Sequence, residues 1–493
     1  MKKVAVIGSG FAGLSAAACL SQKGFDVTVF EKNASPGGRA RQYKEAGFTF
    51  DMGPSWYWMP DVFESFFARF NKKPQDFYTL TRLDPSYRIY FGKGDFMDMP
   101  ADPVELGNLF ESLEPGSKER LATFLEEGKF KYDLGMGSLV YKPGLSLTEL
   151  INSQVLRGAF RMHIFLSISR YIRKFFRHPR IIKILEFPVL FLGATAEKTP
   201  ALYSLMNYAD IVLGTWYPHG GMYSVIQGME KLARDQGAKF RYQSPVTQLP
   251  VEHGKVKGVE VGETLIPFDY VVGGADYHHI EQDLLPQAYR KYNQAYWQDR
   301  VLAPSSLLFY LGLNKKLSGL QHHTLFFDED FTQHAKEIYE SPRWPSSPQF
   351  YVSCPTQTDS SLAPEGNETL ILLIPVAPAL ADTPEIREKY YAMIMDRLEK
   401  ITEQSIRPHV VVRKSYAIND FQSDYNALKG NAYGLANTLS QTANLKPSMI
   451  NKKVPNLFYT GQLTVPGPGV PPSIISGQVV AGLVAKREAT VST

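Results

Sequence analysis

The chain has 493 residues, 44% hydrophobic and 21% charged, a balance ordinary for a folded protein with room for two or three domains. A formal net charge of +4 is too weak to argue for a nucleic-acid partner, so the placement of the basic residues matters more than their sum. Two cysteines, Cys19 and Cys354, leave no zinc or disulfide framework and fit a reducing compartment, and no uninterrupted apolar run reaches the roughly 18 residues of a spanning helix.

The start, MKKVAVIGSGFAGLSAAAC, has the basic and apolar order of a secretory signal, but a second reading explains more of it. Val4–Ile7 reads as a short buried strand. Gly8, Gly10 and Gly13 form G-x-G-x-x-G, Ala12–Lys23 reads as a helix stopped by Gly24, and Asp26–Phe30 reads as a second strand ending in Glu31. In such a βαβ start the first glycine permits a tight turn, and the second lets a pyrophosphate approach the backbone. The third lets the helix lie close to the strand. Free N–H groups at the helix start favour phosphate, and the Glu31 carboxylate suits ribose hydroxyls. The pattern predicts dinucleotide binding.

Gly37, Gly38 and Arg39 follow as a G-G-R unit, and FTFDMGPS alternates as a strand into Gly53, Pro54 and Ser55. A basic glycine hairpin directly after the ribose-binding acid suits a flavin: Arg39 meets the pyrophosphate or shields the ring. The plain alternative is a solvated charge in a turn. The combination favours FAD.

This order of motifs resembles the FAD-dependent amine oxidase and carotenoid desaturase superfamily. GTWYPHGGMYSVIQGMEKLARDQGAKFRYQSPVTQL (Gly214 to Leu249), YVVGGADYHH (Tyr270 to His279) and YTGQLTVPGPGVPPSIISGQVVAGL (from Tyr459) are similar to segments of bacterial-type phytoene desaturases. The resemblance implies an α/β fold: a discontinuous Rossmann-like FAD-binding domain (1–85, 222–285 and 430–493), a mixed α+β substrate domain (86–145 and 286–429), and a helical, membrane-associating segment (146–221). With the motif residues named above, it extends the expected cofactor set to Ser9, Phe11, Ala12, Lys32, Val246, Gly461, Gln462, Val470, Pro471 and Ser473. It puts Trp216, Tyr217 and Gly220 on the substrate side. The turn Pro466 to Pro472 should be a rigid wall beside the flavin, with a helix starting near Ser473 and packing on the first strand. Two positions depart from the resemblance. Gln462 is neutral where many relatives carry an acid, and Val465 replaces a histidine suited to proton handling. No catalytic acid or base and no metal ligands are read from the chain.

Ser305–Leu313 and Thr369–Val376 read as strands of the substrate domain, and 329–365, rich in proline, serine and acid, reads as a long surface loop. The segment from Ile151 to Leu185 carries Arg157, Arg161, Arg170, Arg173, Lys174, Arg177, Arg180 and Lys183 with no acid. Between Ile164 and Phe176 its apolar and basic residues fall on separate helical faces, until Pro179 breaks the helix. Such a helix suits a membrane interface, apolar side chains among acyl chains and cations among phosphates; the alternative is a surface helix packed on the core. The run Phe187 to Ala196 reads as a tunnel entrance or as core.

The resemblance implies a cytoplasmic enzyme peripheral to the membrane that desaturates an acyclic, phytoene-type carotenoid, with quinone or oxygen as electron acceptor. A 3,4-desaturase of hydroxylated carotenoids is the alternative. An amine or protoporphyrinogen oxidase and a non-catalytic prenyl carrier of the same fold are more distant ones.

Overall fold

The computed structural model describes residues 1–146, 149, 162–163, 166–188 and 193–492. Two sheets organise the chain. The first has five parallel strands in the order Leu457–Tyr459, Tyr270–Gly273, Lys3–Ile7, Asp26–Phe30, Lys239–Arg241. Side chains alternate across a strand, and here both faces are covered. Val4 and Val6 pack among the helices Phe11–Gln22, Met222–Asp235 and Val470–Ser492. Ala5 and Ile7 pack on the other side with Val246, Val259 and Tyr277.

The C-terminal helix, Val470–Ser492, starts three residues earlier than expected, and its close neighbour is the first helix rather than the first strand. A Cβ on Gly477 would lie 2.4 Å from the Ala12 carbonyl oxygen, so only glycine allows the two backbones to meet there. Ser15 Oγ donates to the Ile474 carbonyl at 2.7 Å across the same contact.

The second sheet has seven strands, in the order Val410–Tyr416, Ser305–Leu313, Glu368–Val376, Phe350–Ser353, His323–Phe326, Tyr87–Gly92, Asp95–Met99. All neighbours are antiparallel except His323–Phe326 with Tyr87–Gly92. Ser305–Leu313 is buried throughout, as its unbroken apolar run predicts. The reading of 329–365 as a loop is corrected: it holds the helix Phe331–Tyr339 and the interior strand Phe350–Ser353. A four-residue strand is too short to show a period, and prolines on either side hide it.

The basic segment also differs from expectation. Ile151, Arg157, Arg161, Ile164 and residues 189–192 of the run after Pro188 lie outside the described residues. The described helix is Ile168–Phe175, and a second, Pro179–Glu186, begins where Pro179 was expected only to end the first. Ile168, Tyr171 and Ile172 are buried among Leu121, Phe124 and Phe110, so this apolar face packs on the protein and not outward. Arg173 pairs with Glu186 at 2.5 Å and Arg180 with Asp95 at 2.6 Å. Arg170, Lys174, Arg177 and Lys183 are exposed, with no ion-pair partner among the described residues.

Trp216, Tyr217 and Gly220 belong to a structural turn. The strand Trp216–Pro218 pairs with Leu80–Arg82, Tyr217 Oη donates to Asp359 at 3.1 Å, and Gly220 N–H donates to the same carboxylate at 2.8 Å. The next residue, Gly221, sits at φ +83°, where a Cβ would fall 2.3 Å from Asp51 Oδ2. That closeness lets Asp51 accept from the Met222 N–H at 2.5 Å and the Tyr223 N–H at 3.3 Å, capping the helix Met222–Asp235 from another part of the chain. Replacing Asp51→Ala removes the cap and is expected to lower stability by about 1–2 kcal/mol in urea unfolding, with Asp51→Asn in between.

Candidate active site

A cavity of about 1200 Å³ lies between the two sheets. Its polar end is built on the first strand, turn and helix. Gly8 turns the chain at φ +94°, and a Cβ on Gly13 would lie 2.0 Å from the Gly8 carbonyl oxygen, so the helix start is held hard against the turn. Gly13 therefore does not line the cavity; its role is that contact. Gly8, Ser9, Gly10, Phe11 and Ala12 line it, as do Glu31 and Lys32. Glu31 is 5% exposed. Its Oε2 accepts from Ser9 N–H at 3.0 Å and Ser9 Oγ–H at 2.7 Å, and its Oε1 accepts from Asn33 N–H at 2.9 Å. These bonds leave acceptor capacity on both oxygens and fix their direction. Lys32 Nζ is turned to the Ser423 carbonyl at 2.7 Å, and burial lowers its pKa.

Gly38 and Arg39 line the next section, with Gly53, Pro54 and Ser55 beside them. Arg39 is half-buried, with its Cζ 5.3 Å from the centre of the Tyr425 ring. Its Nε and Asp276 Oδ2, both at the cavity wall, are buried with no hydrogen-bond partner among the described residues. Desolvation pulls the Arg39 pKa down and Asp276 opposes it. Unpartnered buried polar atoms are costly, and a polar ligand here would satisfy them.

The C-terminal stretch closes the same cavity. Gly461, Gln462, Val470, Pro471 and Ser473 all line it, and so does Val246 from the small antiparallel sheet. Gln462 Nε2 donates weakly to Asn431 Oδ1 at 3.4 Å. Val465 lines the cavity as an apolar side chain.

Beyond this polar end the lining turns apolar, with Trp56, Trp58, Met59, Met206, Leu308 and Leu373. Trp216, Tyr217 and Gly220, expected on the substrate side, do not line it. The sequence reading missed Asp424, Tyr425 and Asn426, which reach the polar end from the end of a distant helix and carry no motif. Trp56 and Trp58 did have a signal, the aromatic density of PSWYW directly after the glycine unit. Among the described residues no group of three His, Cys, Asp or Glu side chains is placed to hold a metal, and no helix is long and apolar enough to cross a membrane.

Residues 11–485 match the family described as flavin containing amine oxidoreductase. The chain belongs to that family. A carotenoid 3,4-desaturase of Haloarcula japonica is 40% identical over 480 residues, covering 97% of each chain. A zeta-carotene-forming phytoene desaturase of Myxococcus xanthus is 33% identical, covering 97% of this chain and 93% of the relative. Within the family, this flavoprotein therefore belongs with the bacterial carotenoid desaturases. A solved oxidoreductase from Methanosarcina mazei shares the fold, with a TM-score of 0.64, 18% identity, and coverage of 97% of this chain and 100% of that one.

The flavoprotein is an FAD-dependent oxidoreductase acting on CH–CH groups. The cavity's polar end fits FAD: a helix N-terminus for phosphate, a fixed carboxylate beside it, and unpartnered Arg39 Nε and Asp276 Oδ2 at the wall. Glu31→Ala removes the carboxylate and loosens Ser9 together. Flavin retained through purification is expected to fall by roughly tenfold or more, read from the absorbance ratio of flavin to protein.

Proposed function

We propose that the protein introduces C–C double bonds into a carotenoid, with an acyclic, phytoene-type substrate as the first reading. The observation that carries it is one continuous cavity, with Glu31 and Arg39 at its polar end and Trp56, Trp58 and Leu373 in its apolar half. An apolar channel of this kind suits a long hydrocarbon and keeps water from the reacting bond. When bound, FAD supplies the acceptor for one hydrogen of each pair, taken as hydride. The chain's own residues bind and orient. Glu31 would accept from the ribose hydroxyls, the N–H groups at Phe11 and Ala12 would meet phosphate, and the apolar walls would hold the substrate bond in register. A second reading, 3,4-desaturation of a hydroxylated carotenoid, is favoured by the relative of that name at 40% identity.

The FAD-loaded protein, mixed anaerobically with phytoene and with hydroxylated acyclic carotenoids in liposomes, separates the two readings. The true substrate class bleaches the flavin and gains conjugation visible in its absorption spectrum. Bleaching by neither rejects both readings. Reoxidation by added quinone, compared with oxygen, tests the two proposed electron acceptors.

Membrane attachment is part of the same proposal, since such substrates reside in lipid. With the apolar face of the helix Ile168–Phe175 buried, the reading rests instead on the exposed cations Arg170, Lys174, Arg177 and Lys183. Each is worth about 1 kcal/mol at an anionic surface. The double variant Arg170→Glu, Lys174→Glu is expected to weaken sedimentation with anionic liposomes by roughly thirtyfold or more, with flavin content unchanged. Undiminished sedimentation rejects this surface.

A further inference from the structure

Desaturation releases one hydrogen as a proton, which must leave a cavity whose far half is walled largely by apolar side chains among the described residues. Val465 stands where a histidine would be suited to that task. The second sheet places a different histidine behind the cavity wall. Ser55 and Tyr351 line the cavity, and their hydroxyls lie 3.0 Å apart. Tyr351 Oη is 2.6 Å from Nδ1 of His323, which is fully buried. His323 stacks on Trp56, also a cavity residue, with ring centres 4.0 Å apart and planes 10° from parallel. The imidazole is held from one face by Trp56 and at one edge by Tyr351, while its Nε2 has no hydrogen-bond partner among the described residues.

Polar side chains continue outward, in ring contact with His323 and not hydrogen-bonded to it. The His322 ring is 4.5 Å from that of His323, and its Nδ1 is 2.8 Å from Thr358 Oγ1. The Tyr217 ring lies 4.6 Å from His322, and Tyr217 Oη donates to Asp359. Asp359 is in turn 3.9 Å from Nδ1 of His219, whose side chain is 42% exposed. Burial holds His322 down to about 3 and His323 well below the usual imidazole range. Neither therefore keeps a proton for long, as a relay requires. Tyr217, which does not line the cavity, has a place in this outer segment.

We propose that Tyr351 and His323 take up the proton released in desaturation, and that His322 and the Asp359–His219 pair carry it to the surface. The proposal rests on the desaturase reading. Two C–H bonds break on adjacent carbons. One carbon gives up hydride with its electron pair to the flavin. The electron pair of the second C–H bond becomes the new π bond. Its proton passes to the Tyr351 oxygen as the phenol proton moves to His323 Nδ1, with His323 in the tautomer protonated at Nε2. The imidazolium then gives up its Nε2 proton towards His322. The positive charge that develops as hydride leaves makes the adjacent C–H strongly acidic, so a neutral hydroxyl suffices as first acceptor and the proton moves in the same step that bleaches the flavin.

The test is single-turnover flavin bleaching by the carotenoid that the wild-type protein oxidises, followed by stopped flow in H₂O and D₂O. Tyr351→Phe and His323→Gln are expected to slow bleaching by roughly tenfold or more and to abolish the solvent isotope effect, with flavin content unchanged. A purely structural role would leave that isotope effect in place. His219→Gln, at the surface, is expected to delay proton release, seen with a pH indicator, without slowing bleaching. Wild-type rates and an unchanged isotope effect in Tyr351→Phe and His323→Gln would overturn the relay. If His323→Gln fails to hold FAD, Tyr351→Phe, which loses a single oxygen, decides the matter. A wild-type flavin that no carotenoid bleaches removes the desaturase reading itself, and the relay with it.

Discussion

The site depends on how tightly one helix is clamped. The start of Phe11–Gln22 is pressed on the turn below it through Gly13 and Gly8, and on the C-terminal helix through Ala12 and Gly477. A methyl group on Gly13 or on Gly477 would overlap a backbone oxygen, at 2.0 and 2.4 Å. Because the helix cannot move outward, its N–H groups stay at the cavity wall and Ser9 stays within reach of Glu31. The position of the glycine turn, that of the carboxylate and the C-terminal closure depend on these two close backbone contacts, one local and one between the two ends of the chain.

The second sheet supplies what the first cannot. A parallel sheet with helices holds polar groups well at its strand ends, but gives no long apolar wall there. The buried strands Ser305–Leu313 and Glu368–Val376 give that wall through Leu308 and Leu373, and Trp56 and Trp58 span the boundary. The hairpin Gln42–Glu45 and Phe48–Asp51 ties the halves together. Phe48 and Phe50 pack against Tyr310 and Leu308 of the second sheet, while Asp51 caps a helix of the first. This hairpin, which follows the Gly37-Gly38-Arg39 unit, thus joins the polar end of the cavity to its apolar half.

Most of the polar end was legible because it is local. Turn, helix start and acid fall within one short βαβ run, and close spacing in sequence there means close spacing in space. The same holds for Gly53 to Ser55 and for the stretch from Gly461 to Ser473, where glycine and proline mark backbone that must approach something. The apolar half had no such signature. Met206, Leu308 and Leu373 look like any core residue, and whether they face a cavity or a neighbour depends on which strands pair. Trp216, Tyr217 and Gly220 show the converse. A distinctive motif proved to be a capped turn, its hydrogen-bonding groups turned to Asp359 and Asp51.

The sequence by itself determined the cofactor class, the βαβ start, the strands Ser305–Leu313 and Thr369–Val376, and the closing role of the C-terminal stretch. Each is set by local sterics or by an unbroken pattern. Tertiary structure alone decided that the apolar face of Ile168–Phe175 turns inward, since an amphipathic helix carries no label for what covers it. It also decided that Asp95 and Glu186 neutralise part of a basic run that contains no acid, and that Phe350–Ser353 is an interior strand. Finally, it brought His323 and Tyr351 together behind Ser55, a juxtaposition created by strand register between segments that no local pattern connects.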